Sequence, residues 1–188
     1  MRYGVMLCLL CFASGLQAGP DLSVQVHAEY GETEVDHVDG NIRMQDDDRG
    51  LAVHTGLQLW EPELQLLPKV AMMVGFGRYG EMDTEFTEEF LDEQASPVFA
   101  PDSETSAWLG YMEFGWEVGP MRPSIGVGRA YWRARLPAGA TGEDRTISGL
   151  VRYGLGFAVT EGVEIRIVQQ HIDTLDADST LLGLQMTL

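Results

Sequence analysis

The sequence predicts an all-β domain of eight antiparallel strands, running up and down and closed into a barrel. Three observations carry this prediction. Apolar residues recur at every second position through eight segments, the period of strands rather than of helices. The connections alternate between long and short, as successive hairpins with their loops at opposite ends require. The last segment, Ser179–Leu188, ends while still apolar and alternating, which leaves an aggregation-prone edge unless another strand covers it.

The chain begins with a segment that is not expected to belong to the domain. Arg2, the apolar run Val5–Phe12 and the small residues up to Ala18 have the pattern of a secretory signal peptide. The run is shorter than the ~20 apolar residues of a membrane-spanning helix. Residues 1–18 are therefore read as a signal and residues 19–188 as one domain. Both cysteines, Cys8 and Cys11, leave with the signal, so the mature chain is expected to have neither a disulfide nor a cysteine metal site. The whole chain carries −17, and loss of Arg2 makes it −18, with Lys69 as the only lysine. That balance argues against nucleic acid, whose binding depends on cationic contacts to phosphate.

The first strand, Asp21–Val35, sets Leu22, Val24, Val26, Ala28 and Tyr30 against Ser23, Gln25, His27 and Glu29. The second, Leu51–Trp60, sets Leu51, Val53, Leu57 and Leu59 against His54, Gly56 and Gln58. The third, from Lys69 to about Met82, sets Val70, Met72, Val74 and Phe76 against Ala71, Gly75 and Gly77. In the fourth, Ser106–Val118, Trp108, Met112, Phe114 and Trp116 oppose Tyr111, Glu113 and Glu117. The fifth, Ser124–Leu136, starts with Ile125 and Val127 on the apolar face. Strict alternation would then bring Arg129, Arg133 and Arg135 onto that face. A β-bulge near Gly128 is expected to keep Trp132 on the apolar side and turn the arginines away. The sixth, Ile147–Val159, sets Val151, Tyr153, Leu155 and Phe157 against Arg152, Gly154 and Gly156. The seventh, Val163–His171, sets Val163, Ile165 and Ile167 against Glu164, Arg166 and Gln170. The eighth sets Leu182, Leu184, Met186 and Leu188 against Leu181, Gly183, Gln185 and Thr187.

The connections His37–Gly50, Thr87–Thr105, Pro137–Thr146 and Asp173–Ser179 are long and mostly acidic; "VGPMRP" and "TEGV" are tight turns. A barrel with these faces either buries its apolar side around a ligand or shows it to lipid around a polar interior. Three features favour the second. The polar face combines glycines with both signs of charge: Glu113, Arg129, Arg152, Glu164 and Arg166 are expected to form a lumenal network. The apolar face has aromatics at two heights, with Tyr30, Phe76, Trp108 and Trp132 toward the long loops and Trp116 and Phe157 toward the short turns, as membrane-interface girdles. A signal peptide with long loops on one side and short turns on the other matches outer-membrane topology.

On these strands the mature chain resembles the small outer-membrane β-barrel family typified by the OmpA transmembrane domain. The stretch "VRYGLGFAVTEGVEIRIVQQHIDTLDADSTLLGLQMTL" is similar to that family's last three strands: a Gly-rich strand, a tight turn, a charged-lumen strand and a terminal apolar strand. The resemblance implies an outer-membrane location in a Gram-negative bacterium, contact with outer-membrane lipid and lipopolysaccharide, and recognition of the last strand by the barrel-insertion machinery. Leu188 stands where that recognition signal usually has phenylalanine.

The chain is not expected to be an enzyme or to carry a cofactor. It has no G-x-S-x-G elbow, and His27, His37, His54 and His171 lack metal-ligand spacing. The acidic loop containing Asp46, Asp47 and Asp48 is a candidate site for divalent cations, which take carboxylate oxygens, without EF-hand spacing. The expected role is structural or surface-interacting. The rivals are a narrow channel gated by the lumenal charges and a soluble periplasmic barrel around an apolar ligand.

Overall fold

A computed structural model describes residues 23–39, 42–62, 66–86, 103–134 and 145–188; the expected signal peptide lies outside them. The strands are β1 (Val24–Asp39), β2 (Ile42–Trp60), β3 (Lys69–Phe86), β4 (Ser103–Gly115), β5 (Met121–Ala134), β6 (Arg145–Thr160), β7 (Val163–Ile172) and β8 (Ala177–Thr187). They form a closed barrel in sequence order, each antiparallel to its neighbours.

Closure accounts for the apolar chain end. β8 pairs with β1 from Val35↔Ala177 to Gln25↔Thr187. The ladder continues through Leu188, whose N–H donates to Val24 O at 2.8 Å. The last strand therefore has no free edge.

The register fixes the barrel's shape. From Val24 the pairs run through Leu57, Met72, Met112, Val127, Val151, His171 and Asp178, and return to β1 at Glu34, ten residues further on. Such a shift requires strands tilted by roughly 35–45°, and eight strands leave an interior that side chains just fill.

Alternation sorts the side chains as the sequence predicts in seven strands. Gln25, His27, Glu29, His54, Met73, Tyr111, Glu113, Arg152, Arg166 and Gln185 are buried inside, whereas Leu51, Val74, Ile125, Ile167, Leu182 and Leu184 are exposed outside. A continuous exposed apolar surface of this extent is foreign to soluble monomers and normal for lipid contact.

β5 corrects the prediction. Its pairings with β4 and β6 run without a register shift, so there is no bulge near Gly128. Strict alternation therefore holds. Trp132 points inward and is 1 % exposed, while Arg129 and Arg133 face outward and are exposed. The aliphatic stripe of β5 ends at Val127; Arg129 and Arg133 flank Tyr131 beyond it, where long arginine stems reach the polar zone.

The first hairpin also differs. Its strands run on to Asp39 and Ile42, so the expected loop His37–Gly50 is mostly ladder. Asp46, Asp47 and Asp48 stand on β2 opposite Val35, Glu34 and Thr33.

Short turns close the other end. Gly119 (φ +62°) and Gly162 (φ +75°) take up the left-handed backbone that the β4–β5 and β6–β7 turns require. Lys69 Nζ reaches Glu61 at 2.6 Å and Glu117 at 3.0 Å, and Arg122 Nε reaches Glu117 at 3.2 Å, which ties the β2–β3 and β4–β5 turns together. The Lys69 hydrogen bond, joined by one from Gln58, holds the Glu61 carboxyl below its ordinary value. A carboxylate whose folded-state pKa is depressed stabilises the fold above its unfolded value, about 4.3, and loses that contribution as pH falls through the lowered midpoint. Lys69→Gln is expected to move the Glu61 midpoint up toward that value, read by NMR of its carboxyl carbon. Because Glu61 is 58 % exposed, the effect on stability is small.

Candidate functional site

The lumen is built in three tiers. At the short-turn end lies a cavity of about 380 Å³, whose mouth is lined by Lys69, Glu117, Arg122, Glu161 and Glu164 and whose inner wall is Glu113, Ser124, Arg166 and Gln185.

The middle tier holds two ion pairs. Arg166 forks onto Glu113, with Nη1 donating to Oε1 at 3.0 Å and Nη2 to Oε2 at 3.1 Å. It also donates to Ser124 Oγ at 2.6 Å and to Gln185. Arg152 Nη2 donates to both oxygens of Glu29, at 2.7 and 2.5 Å; Nη1 donates to Gln170. The Arg152 guanidinium lies 5.0 Å from the Tyr111 ring centre, a cation–π contact. Gln170 Nε2 donates onward to Tyr79 Oη at 2.8 Å.

Histidines join the pairs. His54 Nε2 lies 3.2 Å from Glu29 Oε2, and its Nδ1 lies 3.3 Å from Tyr111 Oη. A neutral ring protonated at Nε2 satisfies both contacts, donating to the carboxylate and accepting the phenol proton. His27 sits between the clusters, 3.9 Å from Glu29 and 3.4 Å from Arg166 Nη1. Two carboxylates thus face two guanidiniums, and their formal charges cancel. Buried charges persist only when paired and hydrogen-bonded in this way.

Glycines make the room. A Cβ on Gly126 would lie 3.0 Å from the Tyr111 ring and 3.2 Å from Arg152 Cβ; one on Gly154 would lie 2.6 Å from Arg166 Nη2. Here glycine marks the close approach of a neighbour's side chain.

Above the ion pairs the lumen is mostly apolar, with the buried hydroxyls of Thr33 and Ser179 hydrogen-bonded to each other at 2.9 Å. Met44, Leu109, Leu150, Trp132 and Ile172 are each at most 1 % exposed, and with Val35 and Tyr79 they belong to one packed cluster. The arrangement can hold charge and exclude water; the cavity below stops at the Glu113–Arg166 pair.

Of the residues expected in the lumenal network, Glu113 and Arg166 meet each other, and Arg152 is inside but pairs with Glu29. Glu164 is half-buried at the cavity mouth. Arg129 is outside, because β5 carries no bulge. Sequence reasoning left out Glu29, His54, Gln170 and Gln185. All four fall on the polar faces it assigned or follow from that alternation, yet only register reveals which residues share a level.

Among the expected girdle aromatics, Tyr30, Phe76, Trp108 and Phe157 are exposed on the outer face, and the Phe76 and Trp108 rings lie 5.1 Å apart. Trp116, just beyond β4, is half-buried beside the cavity. Trp132 lies inside the lumen. In the expected cation loop, Asp48 accepts the backbone N–H of Arg49 at 2.6 Å; the side chains of Asp46 and Asp47 lie outside the described ones. Among the described residues no group of three histidines, cysteines or carboxylates is placed to hold a metal ion.

No protein-family model and no curated protein matches the chain. Solved structures do. The outer membrane protein OprG from Pseudomonas aeruginosa aligns with a TM-score of 0.60 at 9% identity, over 88% of this chain and 95% of that one. Ail, the attachment invasion locus protein of Yersinia pestis, aligns at 0.56 and 12% identity, over 89% and 97%. Neisserial surface protein A aligns at 0.55 and 12% identity, over 88% and 96%. Identities this low speak to fold alone, and the fold they share with this chain is the closed, eight-stranded, antiparallel barrel of small transmembrane outer-membrane proteins.

Proposed function

We propose that the chain is an integral outer-membrane protein of a Gram-negative envelope, with a structural or surface-interacting role and no open pore. The observation that carries the reading is the inversion of the barrel: exposed leucines, isoleucines and valines encircle a lumen of paired charges. The packed cluster around Trp132 and Leu109 argues against a standing channel. The exposed apolar belt argues against a soluble ligand-binding barrel.

The outer end supports a surface role. The β1–β2 ribbon rises past the aromatic belt and exposes Glu32, Glu34 and Asp36. Arg43 donates to Asp36 through Nε at 3.1 Å and Nη2 at 3.0 Å, and this hydrogen bonding lowers the Asp36 carboxyl below its ordinary value. Neisserial surface protein A and the attachment invasion locus protein are by name surface and attachment proteins, which supports the same assignment.

Planar-bilayer recording tests the reading. The wild-type chain is expected to insert without steady conductance. Trp132→Ala combined with Leu109→Ala is expected to produce discrete opening events. Steady ohmic conductance in the wild type would favour the channel, and release of the protein from membranes without detergent would favour the soluble barrel.

A further inference from the structure

The cavity at the short-turn end contains hydrogen-bond acceptors that no donor of the barrel satisfies. Among the described residues three cations line it, Lys69, Arg122 and Arg166, and all three are engaged elsewhere. Lys69 holds Glu61 and Glu117. Arg122 holds Glu117 and donates to the turn carbonyls of Gly119 and Met121. Arg166 forks onto Glu113 and donates to Ser124 and Gln185. Four carboxylates line the same space, and two of them, Glu161 and Glu164, have no ion pair or carboxylate hydrogen bond among the described residues. Arg122 and Arg166 act on Glu164 only across longer distances.

A second acceptor stands near Glu164. Gln25 lines the cavity and is only 8 % exposed, yet its Oε1 meets no donor. A buried acceptor without a partner is costly to keep. The ladder places the two groups on either side of β8. Gln25 pairs with Thr187, and Glu164 pairs with Gln185, two residues earlier on the same lumenal face. All four side chains border one space.

Both unmatched groups call for a donor, and the carboxylate calls for positive charge. A bare metal ion fits poorly. The space is about 380 Å³, and among the described residues no three carboxylates or histidines converge on a point. A primary ammonium carries three N–H donors and a full charge on one atom. Trp116 lines the same cavity, and aromatic rings attract such groups. Ala71 and Pro123 supply apolar wall for an alkyl chain.

We infer that this cavity binds a linear alkyl diammonium. One ammonium sits on Glu164 and Gln25, and the other reaches Glu161 at the mouth. The site lies at the opposite end from the acidic β1–β2 ribbon and does not depend on a surface role for it.

The test uses a chain beginning at residue 19, folded in dodecyl maltoside micelles. It is titrated at constant ionic strength with 1,5-diaminopentane, pentylamine or magnesium chloride, and the NMR shift of the Trp116 indole N–H reads occupancy. The diamine is expected to bind saturably, with pentylamine about threefold weaker, as loss of an exposed ion pair implies. Glu164→Gln is expected to weaken the diamine about tenfold and Gln25→Leu about fivefold, the effects of losing a charge-assisted and a neutral hydrogen bond. Glu161→Gln should erase the advantage of the diamine over pentylamine, and Glu34→Gln, exposed at the other end, should change nothing. Heat-modifiable migration identifies folded barrels, and Gln25→Leu serves if Glu164→Gln does not fold. A shift that never saturates, a diamine affinity indifferent to both inner substitutions, or displacement of the diamine by equimolar magnesium overturns the inference.

Discussion

Replacing Arg152 by methionine is expected to destabilise the barrel by about 3–5 kcal/mol, measured by urea unfolding from lipid vesicles. The substitution removes both hydrogen bonds to Glu29, the contact with Gln170 and the cation over Tyr111. Glu29 is 1 % exposed and is left with His54 as its near partner. The cost lies mainly in the stranded carboxylate rather than in the lost attraction. It follows that Glu29→Gln together with Arg152→Met should cost less than the two single changes added, with a coupling of about 0.5–3 kcal/mol. Additive costs would mean that the two side chains do not act as a pair.

Ile167→Arg is expected to cost about 2–4 kcal/mol, the penalty for a cation on a lipid face near mid-membrane. Ile167 pairs with Leu155 and Leu182 and is 50 % exposed, midway along β7. On a water-facing surface the same substitution would fall within about 0.5 kcal/mol of neutral. The sign of the comparison with Arg129→Leu is also informative. Removing that outer arginine should change stability far less, since it lies one outward position from the Trp108–Tyr131 pair, near the interface, where lipid-face charges cost about 0–1 kcal/mol.

The two sites show what was legible in the sequence. β8 reads directly: Leu182, Leu184 and Met186 alternate with Leu181, Gly183 and Gln185, and the period alone sends the first set outward. The same holds for β1, where His27 and Glu29 fall between Val26, Ala28 and Tyr30. Fold class and facing follow from a local property, alternation, which a sequence displays without tertiary information.

On β5 polarity is a poor guide to facing, because depth in the membrane is what matters. Arg129 and Arg133 sit on the lipid-facing parity, but near the headgroups, so the arginines need no bulge to escape hydrocarbon. Tryptophan favours interfaces, which suggests a girdle position for Trp132, yet its ring fills the lumen.

The ion-pair partners were illegible for a different reason. Glu29 lies 123 residues from Arg152 in the chain, and Glu113 lies 53 from Arg166. Which acid meets which arginine depends on the ten-residue offset accumulated around the barrel, and no single strand displays that offset. The long first hairpin was hidden similarly: its acids look like loop residues, whereas ladder hydrogen bonds to a facing strand carry them as extended chain.

Collision accessibility along β8 probes the inside-out arrangement most directly. In a chain beginning at residue 19, nitroxide labels introduced singly by Leu182→Cys, Leu184→Cys and Met186→Cys should relax readily with lipid-soluble oxygen and poorly with a water-soluble nickel chelate. Labels from Leu181→Cys and Gln185→Cys should show restricted motion and low oxygen contact. Free access of the nickel chelate to positions 182, 184 and 186 in the bilayer would contradict the account.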